Sequence, residues 1–260
     1  MLDCFVRRRD DDSFPAGNPT AASLTNSRGD PFDVCVSLEE PSTLYLRWPL
    51  GPKEGEPVDA AAAHGGAVLL VMLYTVPVRR GLVFPMIDYF VYTPAPAAAA
   101  GPSLRRLPSL GGGSIAEVQA RAEAERLHVS KVLARRMESL DIGIVHRGPG
   151  DFAVAELQIV TDDGDDTDAR PELRVFNPSV SDQWVLKMPR VVPVHPRDGL
   201  NMSLVLWYWD TDAVVPCGTW LCWVDYTAGV LLCNVLGEED EEASSEILFM
   251  ELPVKPACVC

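Results

Sequence analysis

No run of this 260-residue sequence is apolar for long enough to cross a bilayer. The longest, Ala67–Val78, has 12 residues and contains Pro77, against roughly 20 for a spanning helix. The opening residues MLDCFVRRRDDD contain no apolar segment of the kind a secretory signal needs. Basic residues are scarce: 22 Lys and Arg face 37 Asp and Glu, a net charge of −15. Such a balance repels phosphate backbones and anionic membrane surfaces, so neither nucleic acid nor a membrane is an expected partner. The 4 histidines are isolated, and no HExxH, G-x-S-x-G or Walker A loop occurs. The 7 cysteines are odd in number and scattered, and Cys35, Cys222 and Cys233 sit in apolar, strand-like runs. They read as reduced core thiols rather than a disulfide framework. The expectation is a soluble cytoplasmic or nuclear protein with no catalytic, cofactor-binding or metal-binding residue.

What is present is a large apolar content, 47%, punctuated by 22 prolines and 19 glycines. That combination predicts a real core, many turns and few long helices. Residues 1–33 read as an irregular lead-in, with the tripeptide Arg28-Gly29-Asp30 a chance match to an integrin motif. Val34–Leu38 and Leu44–Trp48 alternate apolar and polar around Pro41, a hairpin signal, and Pro49–Ala63 reads as a loop. Ala67–Val76 and Ile87–Tyr92 read as strands, the second broken from Leu82–Phe84 at Pro85. Residues 94–113 are Pro/Ala/Gly-rich and read as a linker. Ser114–Leu140 reads as the one helix, opened by the capping-box pair Ser114 and Glu117.

From Asp141 the pattern is β again, through Ile142–Val145, Phe152–Val160, Glu172–Phe176, Gln183–Lys187, Ser203–Trp209, Thr219–Tyr226, Gly229–Leu236 and Ile247–Leu252. A hairpin, an acidic loop and a short strand occur at 142–176 and recur at 219–250. The expected organisation is an N-terminal β region (1–93), a linker plus helix (94–140) and repeated β units (141–260). The predicted fold class is mainly β: small antiparallel sheets in a propeller-like arrangement with one helix, a β-sandwich being the alternative.

One stretch carries the most information. Thr219–Leu236 is TWLCWVDYTAGVLLCNVL, two apolar strands about an Asp-Tyr-Thr-Ala-Gly turn. Trp223-Val224-Asp225-Tyr226, Gly229–Cys233 and Leu252-Pro253 resemble the signature that opens the plant domain of unknown function 1618, a large family of grass proteins. The upstream segments Arg8–Asp11, Tyr45–Pro49, Ala62–His64 with Val68–Leu70, Asp88–Tyr92, Pro102–Leu104 and Leu107-Pro108 resemble the family in the same order, as do Ala153–Leu157 and Gln183-Trp184. The resemblance implies no catalytic residues. It does imply a binding module, since some relatives are described as similar to F-box-associated β-propellers. Relatives continue past the Leu-Pro with further strands, so an incomplete propeller is expected here, and a truncated, non-functional family member is one alternative.

Other patterns are weaker. Gly111–Ala116 matches G-x-G-x-x-A but follows a Pro-rich segment rather than a strand, so it reads as a linker ending at a capped helix. Asp162–Asp168 and Glu238–Glu242 lack the EF-hand spacing and read as solvated acidic turns. Cys217, Cys222 and Cys233 lack zinc-site spacing. Strict alternation puts Trp207 and Trp209 on one face and Trp220 opposite Trp223. Asp225 is expected to serve the turn, and Gly229 to sit where few side-chain constraints apply. The functional expectation is a non-enzymatic protein-interaction module that presents loops and a blade edge to an unknown protein partner. An enzyme or small-ligand binder with a site between blades is the alternative.

Overall fold

The structure is a computed structural model that describes residues 6–15, 17–37, 43–51, 58–77, 83–94, 101–109, 141–148, 150–161, 169–237 and 246–253. The chain divides into two compact units, Met1–Arg136 and Met137–Cys260. Both are built from small, mainly antiparallel sheets.

In the first unit, β1 (Val6–Arg8), β2 (Ala22–Thr25), β3 (Pro31–Ser37) and β4 (Thr43–Arg47) form one sheet in the order β1-β4-β3-β2. The second sheet runs in sequential order through β5 (Val58–His64), β6 (Ala67–Pro77), β7 (Val83–Thr93) and β8 (Ser103–Arg106). All neighbours are antiparallel except β1 and β4, which are parallel. Phe32, Val34, Leu44 and Leu46 of one sheet share a core with Val68, Leu70, Met72 and Phe90 of the other. Each such fully buried side chain contributes about 1.5–3 kcal/mol. The rings of Phe32 and Phe90 meet edge-on at 4.8 Å.

Three segments of this unit differ from their sequence reading. The supposed loop 49–63 contains most of β5, whose alanines pair with β6 across a bulge at Ala60/Ala62. The two join through Gly65 and Gly66, at φ 56° and 84°, the conformation a two-residue hairpin turn demands. The supposed linker contributes β8, which pairs with Phe90–Thr93. The lead-in contributes β1 and β2. In addition, β7 runs unbroken through Pro85, which among the described residues pairs only with Thr75 of β6, since β8 covers just the far end of the strand. A missing N–H is tolerated where no second neighbour needs it. The helix expected over 114–140 lies outside the described residues.

In the second unit, β9 (Ile142–Gly148), β10 (Asp151–Thr161), β11 (Ala169–Phe176) and β12 (Val185–Lys187) form a sequential meander. The other sheet has the order β13-β17-β16-β15-β14, from β13 (Arg190–Pro193), β14 (Ala213–Cys217), β15 (Trp220–Asp225), β16 (Gly229–Asn234) and β17 (Glu246–Glu251). Here β13 lies parallel to β17. The repeat seen at 142–176 and 219–250 is therefore a three-strand meander used twice. Val145, Ala155, Leu157 and Leu173 of the first sheet pack with Trp223, Leu231, Ile247 and Phe249 of the second. Gly143 makes room for this contact: a Cβ there would sit 2.6 Å from Val214 and 2.8 Å from Leu221.

The segment Ser203–Trp209, read as a strand, instead holds a helix, α1 (Met202–Trp207). The Asn201 side chain accepts from Leu204 N at 3.3 Å and caps it. Leu206 is its buried residue, with Met202, Val205, Trp207 and Trp209 packed partly against the core. Trp207 and Trp209 thus share no strand face. The seven residues are almost all apolar, so neither periodicity stands out.

Candidate functional site

The units differ sharply in charge. Met1–Arg136 contains 15 acidic and 15 basic residues, whereas Met137–Cys260 contains 22 acidic and 7 basic, so the whole net charge of −15 belongs to the second unit. Two surface features of that unit stand out.

The first is the edge strand β12. Among the described residues it pairs on one side only, with β11. Val185 and Leu186 point to opposite faces, and both are exposed, at 38% and 45%. Val180 and Met188, just before and after the strand, are exposed as well. The approach to β12 is held in place locally. Asn177 O accepts from Val180 N and Ser181 N, Asn177 Oδ1 accepts from Ser179 N, and Trp184 packs on Phe176 at 5.6 Å.

Beside β12, on β10 and β11, lies a buried ion network. Arg174 Nη1 donates to Glu156 Oε2 at 2.6 Å and to Gln158 Oε1 at 2.8 Å, and Nη2 donates to Glu172 Oε2 at 3.1 Å. Glu156 and Arg174 are direct cross-strand partners, as are Gln158 and Glu172, and Leu186 pairs with Arg174. Register therefore places all five side chains on one sheet face, opposite the face that packs on β15–β17.

The second feature is a cleft of about 450 Å³. It is lined by Asp141, Leu157–Thr161, Trp209, Asp210 and Thr211. Its walls are held by the stretch around the Asp-Tyr-Thr-Ala-Gly turn. Trp223 Nε1 donates to Asp141 O at 2.8 Å. Asp210 N donates to Asp225 Oδ2 at 3.1 Å, and Asp212 Oδ2 accepts from Tyr226 N at 2.7 Å. Trp209 Nε1 donates to Thr211 Oγ1 at 3.1 Å, which fixes the indole.

Asp225 is buried at the turn, as its sequence context predicts, and it accepts from Thr227 N, Thr227 Oγ1 and Ala228 N as well. Burial pushes its carboxyl up, but the hydrogen bonds from Thr227, Asp210 and Ala228 outweigh this and hold it below the usual carboxylate value. Gly229 is needed for a different reason from the one expected. A Cβ there would lie 2.5 Å from Met250 O and 2.7 Å from the Phe249 ring, so the neighbouring strand excludes any side chain. Trp223 is fully buried and Trp220 half-buried, on opposite faces as alternation predicts.

The remaining residues marked out by sequence disperse. Cys35 and Cys233 are buried, Cys222 is half-buried and Cys217 exposed, all as free thiols. Burial raises the Cys35 and Cys233 thiols to about 11. His64 and His146 lie on different units and His195 is exposed. The integrin-like tripeptide is turned inward on its own unit. Asn26 Oδ1 accepts from Arg28 N and Asp30 N, Gly29 has φ 90°, and the Arg28 guanidinium lies 5.7 Å from the Trp48 ring and 5.2 Å from Tyr74. The acidic runs 162–168 and 238–242, the Gly111–Ala116 motif and His128 lie outside the described residues. Among the described residues no three His, Cys, Asp or Glu side chains are grouped to hold a metal, and no helix is long and apolar enough to cross a membrane.

No known protein family, curated protein or solved structure matches the chain.

Proposed function

We propose that the protein is a non-enzymatic interaction module, cytoplasmic or nuclear, that docks a partner protein along the β12 edge. The observation that carries this reading is the apolar edge itself: Val185 and Leu186 are both exposed on a strand paired on one side among the described residues. An extended segment added to such an edge gains main-chain hydrogen bonds, and its alternate side chains meet Val185 on one face and Leu186 on the other. The occupant is an extended, basic segment of the partner, because the unit bearing the edge has the entire net charge of −15. The motif order that resembles the domain of unknown function 1618 supports membership of that family, and with it the same binding role.

The test is affinity capture with three baits: the wild-type chain, the edge variant Val185→Asp/Leu186→Asp, and Leu204→Asp. Leu204 is exposed at 51% on α1 and serves as the control. All three sites are exposed, so folding should change little. Proteins with basic extended segments retained by wild type and Leu204→Asp but lost by the edge variant are the expected result. Equal capture by wild type and edge variant would refute the reading.

A further inference from the structure

The five-stranded sheet of the second unit is apolar on both faces. Antiparallel strands with one face in water read apolar inward and polar outward. Trp220–Val224 and Val230–Cys233 instead run apolar at every position, the mark of strands covered on both sides. Leu221, Trp223, Leu231 and Cys233 point into the core of the unit. Cross-strand register sets the other face. Val192, Leu248, Leu232, Cys222 and Val215 form one row across all five strands. Met250, Val230, Val224 and Ala213 form the next. None of these side chains belongs to the described core or to the partly buried residues packed against it. Val215 is 48% and Met250 40% exposed, and of the others all but Val230 are half-buried.

Area and charge both point to the occupant. Strands lie about 4.8 Å apart and rise about 3.4 Å per residue, so this sheet has a flat footprint of roughly 400 Å². Pleated side chains and the rim bring the accessible area to about 800 Å², the share each partner contributes to a standard interface. A contiguous apolar surface of this size marks an interaction site. The excess acid of the unit does not lie here. Among the described strand residues, register places only Arg190 and Glu246 as charges on this face, and they pair with each other at 2.8 Å. A basic partner therefore finds no free carboxylate over the two rows. A second copy brings an equally flat, uncharged and apolar sheet. Repulsion between the two acidic units is screened beyond about 8 Å at physiological salt.

We propose that this face is the interface of a homodimer, in which the five-stranded sheets of two copies pack face to face about a two-fold axis. Sheets stacked in this way lie about 10 Å apart with their side chains interdigitated. Such a contact uses the same patch on both copies and closes without further growth. It shares no residue with β12 and does not rest on the docking reading above.

The test is sedimentation equilibrium of the full chain under reducing conditions, from about 0.1 to 50 μM, which reaches the weak end of the affinities of interfaces this size. Twice the monomer mass at the upper end is expected. Val215→Asp/Met250→Asp puts a charge on each row at positions exposed enough to leave the fold intact. Buried without partners in the dimer, these charges should raise the dissociation constant at least about a hundredfold. The edge variant Val185→Asp/Leu186→Asp lies on the other sheet and should remain dimeric. A second readout needs no variant. Cys222 lies within the first row, so its rate of thiol labelling in the native wild-type chain should fall several-fold as concentration rises through the dimer transition. A monomer throughout the range, dimerisation lost in the edge variant or kept in the face variant, or Cys222 labelling independent of concentration would each overturn the proposal.

Discussion

Replacing Asp225 with Asn tests how the turn supports the unit above it. The carboxylate is 1% exposed and uses both oxygens: Oδ1 accepts from Thr227 and Ala228, and Oδ2 from Asp210 N at 3.1 Å. Asn keeps the shape and one acceptor. Its NH₂ group must then face an N–H, either at Asp210 or at Thr227 and Ala228. One charge-assisted hydrogen bond is lost and a donor is left buried, which together cost about 3 kcal/mol. With an m-value of about 2 kcal/mol/M, the urea midpoint of the second unit should fall by roughly 1.5 M. Tryptophan fluorescence follows this unit well, because Trp184, Trp207, Trp209, Trp220 and Trp223 all belong to it and only Trp48 belongs to the first.

The effect has a pH signature. The folded-state carboxyl lies below its ordinary value of 3.8. Its stabilisation is therefore fully present above that value and is lost as pH falls through the folded-state value. The gap between wild type and Asp225→Asn should be constant from pH 7 to about 5 and should narrow as pH falls below 3.8. A gap below 0.5 kcal/mol at pH 7, on the order of an ordinary surface change, would refute the reasoning. So would a gap that persists undiminished at low pH.

Three further outcomes follow from the packing. Arg174→Leu leaves Glu156 and Glu172 without the guanidinium that bridges them. Urea unfolding should show a loss of about 3–5 kcal/mol, much of it recovered when Glu156→Gln and Glu172→Gln are added. Gly229→Ala forces a Cβ against Met250 O, 2.5 Å away on the paired strand, and should cost about 1–3 kcal/mol by the same assay. In a chain with Cys4, Cys258 and Cys260 changed to Ser, a thiol reagent at pH 8 should label Cys217 quickly and Cys222 slowly. Cys35 and Cys233, buried with thiols near 11, should react only on unfolding. Rapid native-state labelling of either would contradict their burial.

The strands legible in the sequence are those that bury one face and alternate, such as β15, whose residues Trp220–Asp225 switch between half-buried and buried at every step. Three of the strands outside the sequence reading, β1, β5 and β8, carry little signal of this kind. Four of the seven residues of β5 are alanines, and β8 and β1 are short edge strands with Arg at exposed positions. They become strands because a strong neighbour, β6, β7 or β4, offers them hydrogen bonds. The cleft was illegible for a related reason. Its walls come from the start of β9, the end of β10 and the segment after α1, and α1 itself read as a strand. No local pattern announces that Asp141 and Asp210 will line one cavity.

The stretch Thr219–Leu236 shows how a structural signature acquires a functional consequence. Trp223 fills the core with its ring, and its N–H reaches 2.8 Å to the carbonyl of Asp141, 82 positions earlier in the chain. Asp225 closes its own turn with one oxygen and holds the backbone of Asp210 with the other. Gly229 lets β17 approach closely enough to keep that turn in register. Each residue satisfies the fold first, yet each leftover hydrogen-bonding group fixes one wall of the cleft. Packing and site geometry are therefore coupled through single side chains. A substitution that preserves the core but removes the polar contact, such as Trp223→Phe, should loosen the Asp141 wall before it unfolds the unit.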